Sequence, residues 1–247
     1  MVFDIEYIWF FMILLPVVSF LYSSVGHGGA SGYLALMALF SFPTEVMKPT
    51  ALILNLFVSG VAFFYYFKEG YFKKKLFFYF ALASIPFAYL GGTLEVDATL
   101  YKIILSILLI FAVLKMLNVF GKDHHEIREI RLWQGLLIGS VIGFFSGLIG
   151  IGGGIILTPV ILILHWGKMK EAAAVSALFI WVNSASGLIG QISIGVEIPI
   201  ELYGLIAIAI LGGILGGYLG SKRINNLHLR YVLAIVLAIA SVKLLMV

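Results

Sequence analysis

No cysteine occurs in the 247 residues, which excludes disulfides, thiolate nucleophiles and thiolate metal ligands and leaves the redox compartment open. Charge is scarce as well. Lys, Arg, Asp and Glu make up 11% of the chain against 62% hydrophobic residues, a balance outside the range of soluble domains. The net charge of +4 is too thinly spread to build the basic face that nucleic acid requires. A basic N-terminal region is also missing: Asp4 and Glu6 precede the first apolar run, so that run reads as a retained span and not as a cleaved signal peptide. Neither G-x-x-x-x-G-K-[ST] nor H-E-x-x-H occurs, and no Ser-Lys or paired-carboxylate arrangement lies inside the apolar runs, which disfavours a nucleotide-driven pump and a membrane-embedded enzyme. No cofactor and no metal site are expected; His124 and His125 sit beside Asp123 and Glu126, too few spaced ligands for a metal.

What the chain has in abundance is apolar helix. Mean hydropathy is +1.11, and a bilayer core of about 30 Å needs about 20 apolar helical residues. Eight stretches meet that need: 7–23, 49–67, 76–94, 98–120, 132–149, 172–192, 198–220 and 227–247. Two more, 31–42 and 154–166, are too short to cross, and each follows a glycine cluster, which predicts half-length or re-entrant helices. The polar stretch 121–131 divides the chain as a linker. Trp9, Trp133, His165, Trp166 and many of the twelve tyrosines read as anchors at the membrane surface.

Each half repeats one order of elements: long helix, glycine-rich break, short half-helix, three long helices. Val25-Gly-His-Gly-Gly29 and Ile149-Gly-Ile-Gly-Gly153 lie 124 residues apart, and Gly92 and Lys115 recur 128 residues on as Gly220 and Lys243. Lys48-Pro-Thr-Ala51 matches Lys170-Glu-Ala-Ala173. The predicted fold is an all-α polytopic membrane protein, a single transport domain over 1–247 with a first repeat at 1–120 and a second at 132–247.

Parity decides how the repeats lie. If each glycine break turns the chain back, the repeats are inverted, and segments 68–75, 121–131, 168–171 and 221–230 share one face. That face gathers Lys68, Lys73, Lys74, Lys75, Lys122, Arg128, Arg131, Lys168, Lys170, Lys222, Arg223 and Arg230, twelve of the sixteen basic residues. Asp4, Glu6, Glu45, Glu95, Asp97, Glu197 and Glu201 fall opposite, with Lys48 the lone base. Parallel repeats would place five of those basic residues outside, against the positive-inside bias. Inverted repeats are therefore expected, in the cell membrane, with both termini extracytoplasmic and the linker cytoplasmic. Secondary transporters recurrently use this build, with sites at the midplane between the halves; a passive anion channel on the same scaffold is the alternative.

Isolated pairs such as Gly91-Gly92, Gly212-Gly213 and Gly216-Gly217 read as close helix packing. The clusters Gly26, Gly28, Gly29 and Gly150, Gly152, Gly153 differ, because each precedes a short helix whose first N–H groups are free. Such an end carries roughly half a positive charge, and glycine lets an anion approach the backbone. Two of them facing each other make an anion site without a buried Arg; the competing account is a pair of structural turns. His27 stands where the second cluster has Ile151, and either serves the anion or the coupled proton, or bonds the backbone of its turn. Asn55 and Asn183 occupy the middle of the third helix of each half, as ligand contacts or bridges between helices. Ser24, Thr50 and Ser176 are weaker candidates, since small hydroxyls commonly bond their own helix.

The motifs Gly-His-Gly-Gly in the first half and Gly150-Ile-Gly-Gly-Gly-Ile-Ile-Leu-Thr-Pro-Val-Ile161 in the second resemble the sulfite exporter TauE/SafE family of membrane transporters. The second copy is the closer match; the first lacks the proline, with Ala30-Ser31-Gly32-Tyr33-Leu34-Ala35 in its place. The resemblance implies export of small sulfur-containing anions such as sulfite, sulfoacetate or other organosulfonates. A small anionic substrate and the lipid bilayer are the expected partners, and a homodimer is compatible with the compact chain.

Overall fold

The computed structural model describes residues 8–116, 127–197, 202–222, 237–239 and 241–242. The predicted final span therefore lies largely outside the described residues, as do Asp4, Glu6, Glu201, Arg223, Arg230, residues 121–126 of the linker with His124 and His125, and the Lys115 and Lys243 side chains. Among the described residues the regular structure is helical: α1 (Ile8–Ser23), α2 (Ala30–Leu39), α3 (Thr44–Lys68), α4 (Lys74–Thr93), α5 (Ala98–Met116), α6 (Leu132–Ile149), α7 (Gly154–Ile163), α8 (Met169–Ser193) and α9 (Leu202–Lys222). Five of these, α3, α4, α6, α8 and α9, are long and apolar enough to cross a membrane.

Boundaries differ from the sequence expectation where a polar first turn precedes the apolar run. Helix α3 begins at Thr44, ahead of Pro49, with Glu45 in its first turn, where the positive end of the helix favours an acid. Helix α8 begins at Met169, because the Lys168 N–H donates to Glu171 Oε2 at 3.0 Å and closes its first turn. Asp97 performs the same service for α5, accepting from the Thr99 and Leu100 N–H groups at 3.0 Å.

Both short helices fold back on the long helix before them. In the first half Ser31 donates to Tyr22 Oη at 2.7 Å, Ser19 lies 3.0 Å from Tyr33 Oη, and Phe11 stacks on Phe40 and Phe42. The start of α1 thus lies beside the end of α2. In the second half the Arg128 N–H, just ahead of α6, donates to the His165 carbonyl just past α7 at 2.7 Å.

The halves interlock through rows of glycine. On α6, Gly139, Gly143 and Gly147 sit on the carbonyl oxygens of Phe80, Ser84 and Ala88 in α4. On α9, Gly212, Gly216 and Gly220 sit on those of Pro16 and Phe20 in α1 and of Ser24 just past its end. A Cβ at any of the six would overlap those oxygens, so backbones meet directly, an approach that permits Cα–H···O contacts of about 0.5–1 kcal/mol each. At the centre α3 and α8 run antiparallel, with Leu52 beside Gly187, Asn55 beside Ser184 and Gly60 beside Trp181.

Large apolar side chains cover the outside, among them Trp9 (73% exposed), Leu211 (65%), Leu82 (61%) and Trp133 (59%). A lipid-facing surface is the setting that solvates them. Trp166 is not a surface anchor: it is buried and its ring lies 6.0 Å from that of Phe80. Tyr22, Tyr33, Tyr66 and Tyr101 are likewise buried, each with a hydrogen-bond partner deep in the helices.

Candidate functional site

The two glycine breaks meet at the centre. Gly29 and Gly153 are the N-caps of α2 and α7 and have φ of 103° and 77°, a left-handed backbone that glycine adopts without the Cβ penalty. Each break lies against the third helix of the opposite half: Gly26 on Ala173 of α8, and Gly150 on Lys48 of α3. Gly28 and Gly152 both press on the Asn55 amide and on Ile180. The N-termini of α2 and α7 therefore converge on one point, with α3 and α8 crossing between them.

Asn55 is fully buried there. Its Oδ1 accepts from the Ala30 N–H at 3.0 Å, capping α2, and its Nδ2 donates to Ser184 Oγ at 3.3 Å. Asn183 is not its counterpart in register. Helices α3 and α8 are each 25 residues long, and the residue of α8 at the position of Asn55 is Ile180. Asn183 Nδ2 donates to the Phe179 carbonyl at 2.7 Å, while its Oδ1 is buried with no partner.

His27 joins the halves. Its Nδ1 lies 2.9 Å from the Val25 carbonyl, and its Nε2 lies 3.2 Å from the Gly154 carbonyl and 3.1 Å from Thr158 Oγ1. Thr158 continues to Ser176 Oγ at 2.8 Å, so a polar chain runs from the first break through α7 into α8. Ser176 is thus the far end of this polar chain. Ser24 does not turn toward it, since its hydroxyl donates to the Leu21 carbonyl at 2.7 Å. Thr50, Ser59 and Ser146 carry buried hydroxyl oxygens without partners.

Residues missed by sequence reasoning support the first break. Tyr33 donates to the Gly28 carbonyl at 2.8 Å, and a tyrosine in a half-helix gave no signal distinguishing this from a surface ring. Lys48 is 7% exposed, and its ammonium donates to the carbonyls of Gly91, Gly92 and Leu94 at 3.5, 3.1 and 3.3 Å, closing the C-terminus of α4. Lys170 does the same at the other end of the molecule, donating to the Ser221 carbonyl of α9 at 3.0 Å and to Tyr71 Oη at 3.2 Å. The matched Lys48 and Lys170 motifs were the available signal.

A cavity of about 390 Å³ opens beside Lys48, with Glu45, Glu95 and Asp97 in its wall. Leu148, Gln191 and Tyr101 complete its inner side. The Tyr101 hydroxyl donates to the Ile149 carbonyl at 3.0 Å, so the cavity reaches the chain one residue short of Gly150.

Apolar helices with paired glycine breaks and a lipid-facing exterior define a multi-pass membrane protein with a polar centre between its halves. The sequence profile of the family described as sulfite exporter TauE/SafE matches residues 11–244, and the chain belongs to that family of membrane transporters. It is 36% identical over 234 residues to the probable membrane transporter protein y4hK of Sinorhizobium fredii, covering 93% of this chain and 94% of the relative. It is 29% identical over 264 residues to the probable membrane transporter protein MJ0441 of Methanocaldococcus jannaschii, covering 96% and 97%. No solved structure matches the chain.

Proposed function

We propose that this transporter is a secondary active exporter of small sulfur-containing anions, such as sulfite, sulfoacetate or other organosulfonates, coupled to protons or another ion. The observation that carries the reading is the convergence of the α2 and α7 N-termini on Asn55 and Ile180. The positive ends of two half-helices supply anion attraction without a buried Arg. The sulfur chemistry rests on the family.

Alternating access follows from inverted repeats, residues 1–120 and 132–247 about the linker. Support comes from α3 and α8, which hold equivalent places and run antiparallel. The loops rich in basic residues also gather at one end: Lys73 pairs with Glu171 at 3.0 Å, and Lys170 reaches Tyr71. Glu45, Glu95 and Asp97 gather at the cavity. With the basic end cytoplasmic, the termini lie outside and the cavity faces the exterior.

Reconstituted protein tests the reading. Saturable counterflow of sulfite or sulfoacetate, with proton or ion movement at fixed stoichiometry, is the expected result. Unsaturable, uncoupled flux would replace the carrier with a passive anion channel.

A further inference from the structure

The two half-helix ends are built alike but are not finished alike. At α2 the first N–H, that of Ala30, is taken by Asn55 Oδ1. At α7 the residue in register with Asn55 is Ile180, which packs on Gly154 and has no oxygen to offer the first N–H. The same replacement leaves a second group unmet. Ser184 receives the Asn55 amide, whereas Ser59, which holds the position of Ser184 in α3, faces the Ile180 register and has no partner for its buried hydroxyl. A third unmet group lies on α6. Ser146 is fully buried beside Gly153, the N-cap of α7, and its hydroxyl oxygen has no partner, although a serine inside a helix ordinarily bonds its own carbonyl ladder.

We infer that the anion is held at one end only, the N-terminus of α7, with the Gly153–Gly154 backbone N–H groups and the Ser146 hydroxyl as donors, and that Asn55 is a tethered cap standing at α2 where the ligand stands at α7. A hydroxyl beside a helix N-terminus has the polarity an oxyanion needs, because it donates where the backbone donates. Ile180 is then the residue that fixes which end is open. The inference rests on the proposed anion transport and narrows it from a shared site to an asymmetric one.

Swapping the cap tests this. Ile180→Asn supplies the α7 end with the amide oxygen that α2 already has, and Ser146→Ala removes one donor without adding bulk. Full-length protein is purified in detergent, its fold checked by its unliganded melting temperature, and titrated with sulfite and with sulfoacetate against chloride at equal ionic strength. Saturable stabilisation is expected for the unsubstituted protein. Its midpoint is expected to rise at least about tenfold in Ile180→Asn and roughly three- to tenfold in Ser146→Ala, as loss of one hydrogen bond to an anion implies. Either variant binding with unaltered affinity, while the unsubstituted protein binds, overturns the asymmetric site and leaves anion transport standing. If the unsubstituted protein responds to no anion beyond chloride, the anion reading itself fails.

Discussion

His27 of the first half and Thr158 of the second lie 3.1 Å apart, Nε2 to Oγ1, and with the bond to the Gly154 carbonyl this contact joins the first glycine break to α7. It ties the imidazole to both halves of the chain. An imidazole also titrates near pH 6.5 when unperturbed, within the range where coupled protons are exchanged. His27→Ala and His27→Ile, the latter matching Ile151, are expected to flatten the dependence of transport on pH between about 5 and 8. Transport measured in proteoliposomes across that range decides the matter; a profile identical to that of the unsubstituted protein removes His27 from coupling.

Thr158→Val keeps shape and deletes the link between His27 and Ser176. The buried imidazole then loses one partner, and a cost of about 1–3 kcal/mol is expected. Thermal unfolding in detergent measures it, and Ser176→Ala should fall in the same direction by less, since Thr158 keeps His27.

The glycine rows give a sharper test. Gly143→Ala places a methyl group against the Ser84 carbonyl oxygen, and Gly216→Ala against that of Phe20. Overpacking of this kind costs about 1–3 kcal/mol. Gly204→Ala, with nothing within 4 Å of its added carbon, is expected to be neutral or slightly stabilising. Equal melting temperatures for all three would refute backbone contact at these crossings.

Lys48→Met removes an ammonium from three carbonyls at the end of α4. The expected cost is about 1.5–3 kcal/mol, the range for hydrogen bonds to charged groups, or a few degrees per kcal/mol in melting temperature for a chain of this size. Lys170→Met, at a site less buried, should cost less. Breaking the Lys73–Glu171 pair, where the lysine is 55% exposed, should cost under about 1 kcal/mol.

Much of this architecture was legible in the residues. Apolar run length locates the helices, five of them long enough to cross a membrane where eight spans are expected, and the paired glycine clusters locate both breaks. The failures share a cause. Residue type sets Asn55 beside Asn183 in the middle of the two helices, but helix register sets it beside Ile180. Trp166 and the buried tyrosines looked like surface anchors because sequence cannot say which aromatic ring has a partner helix above it. Lys48 read as a lone base on an acidic face, since the carbonyls that hold it belong to Gly91, Gly92 and Leu94, more than forty residues away in the chain.

The glycine crossings carry one more consequence, for biogenesis. Helix α4 finds its close neighbour in α6, and α1 finds its own only in α9. Neither half of the chain contains both members of a crossing, so the first half leaves the ribosome with unmatched stripes of carbonyls and the second with unmatched rows of glycine. The first helix inserted packs early on α2 but meets its glycine row only when almost the entire protein has been made. Two half-chains expressed separately should be degraded, and the same halves produced together in one cell should recover a folded transporter.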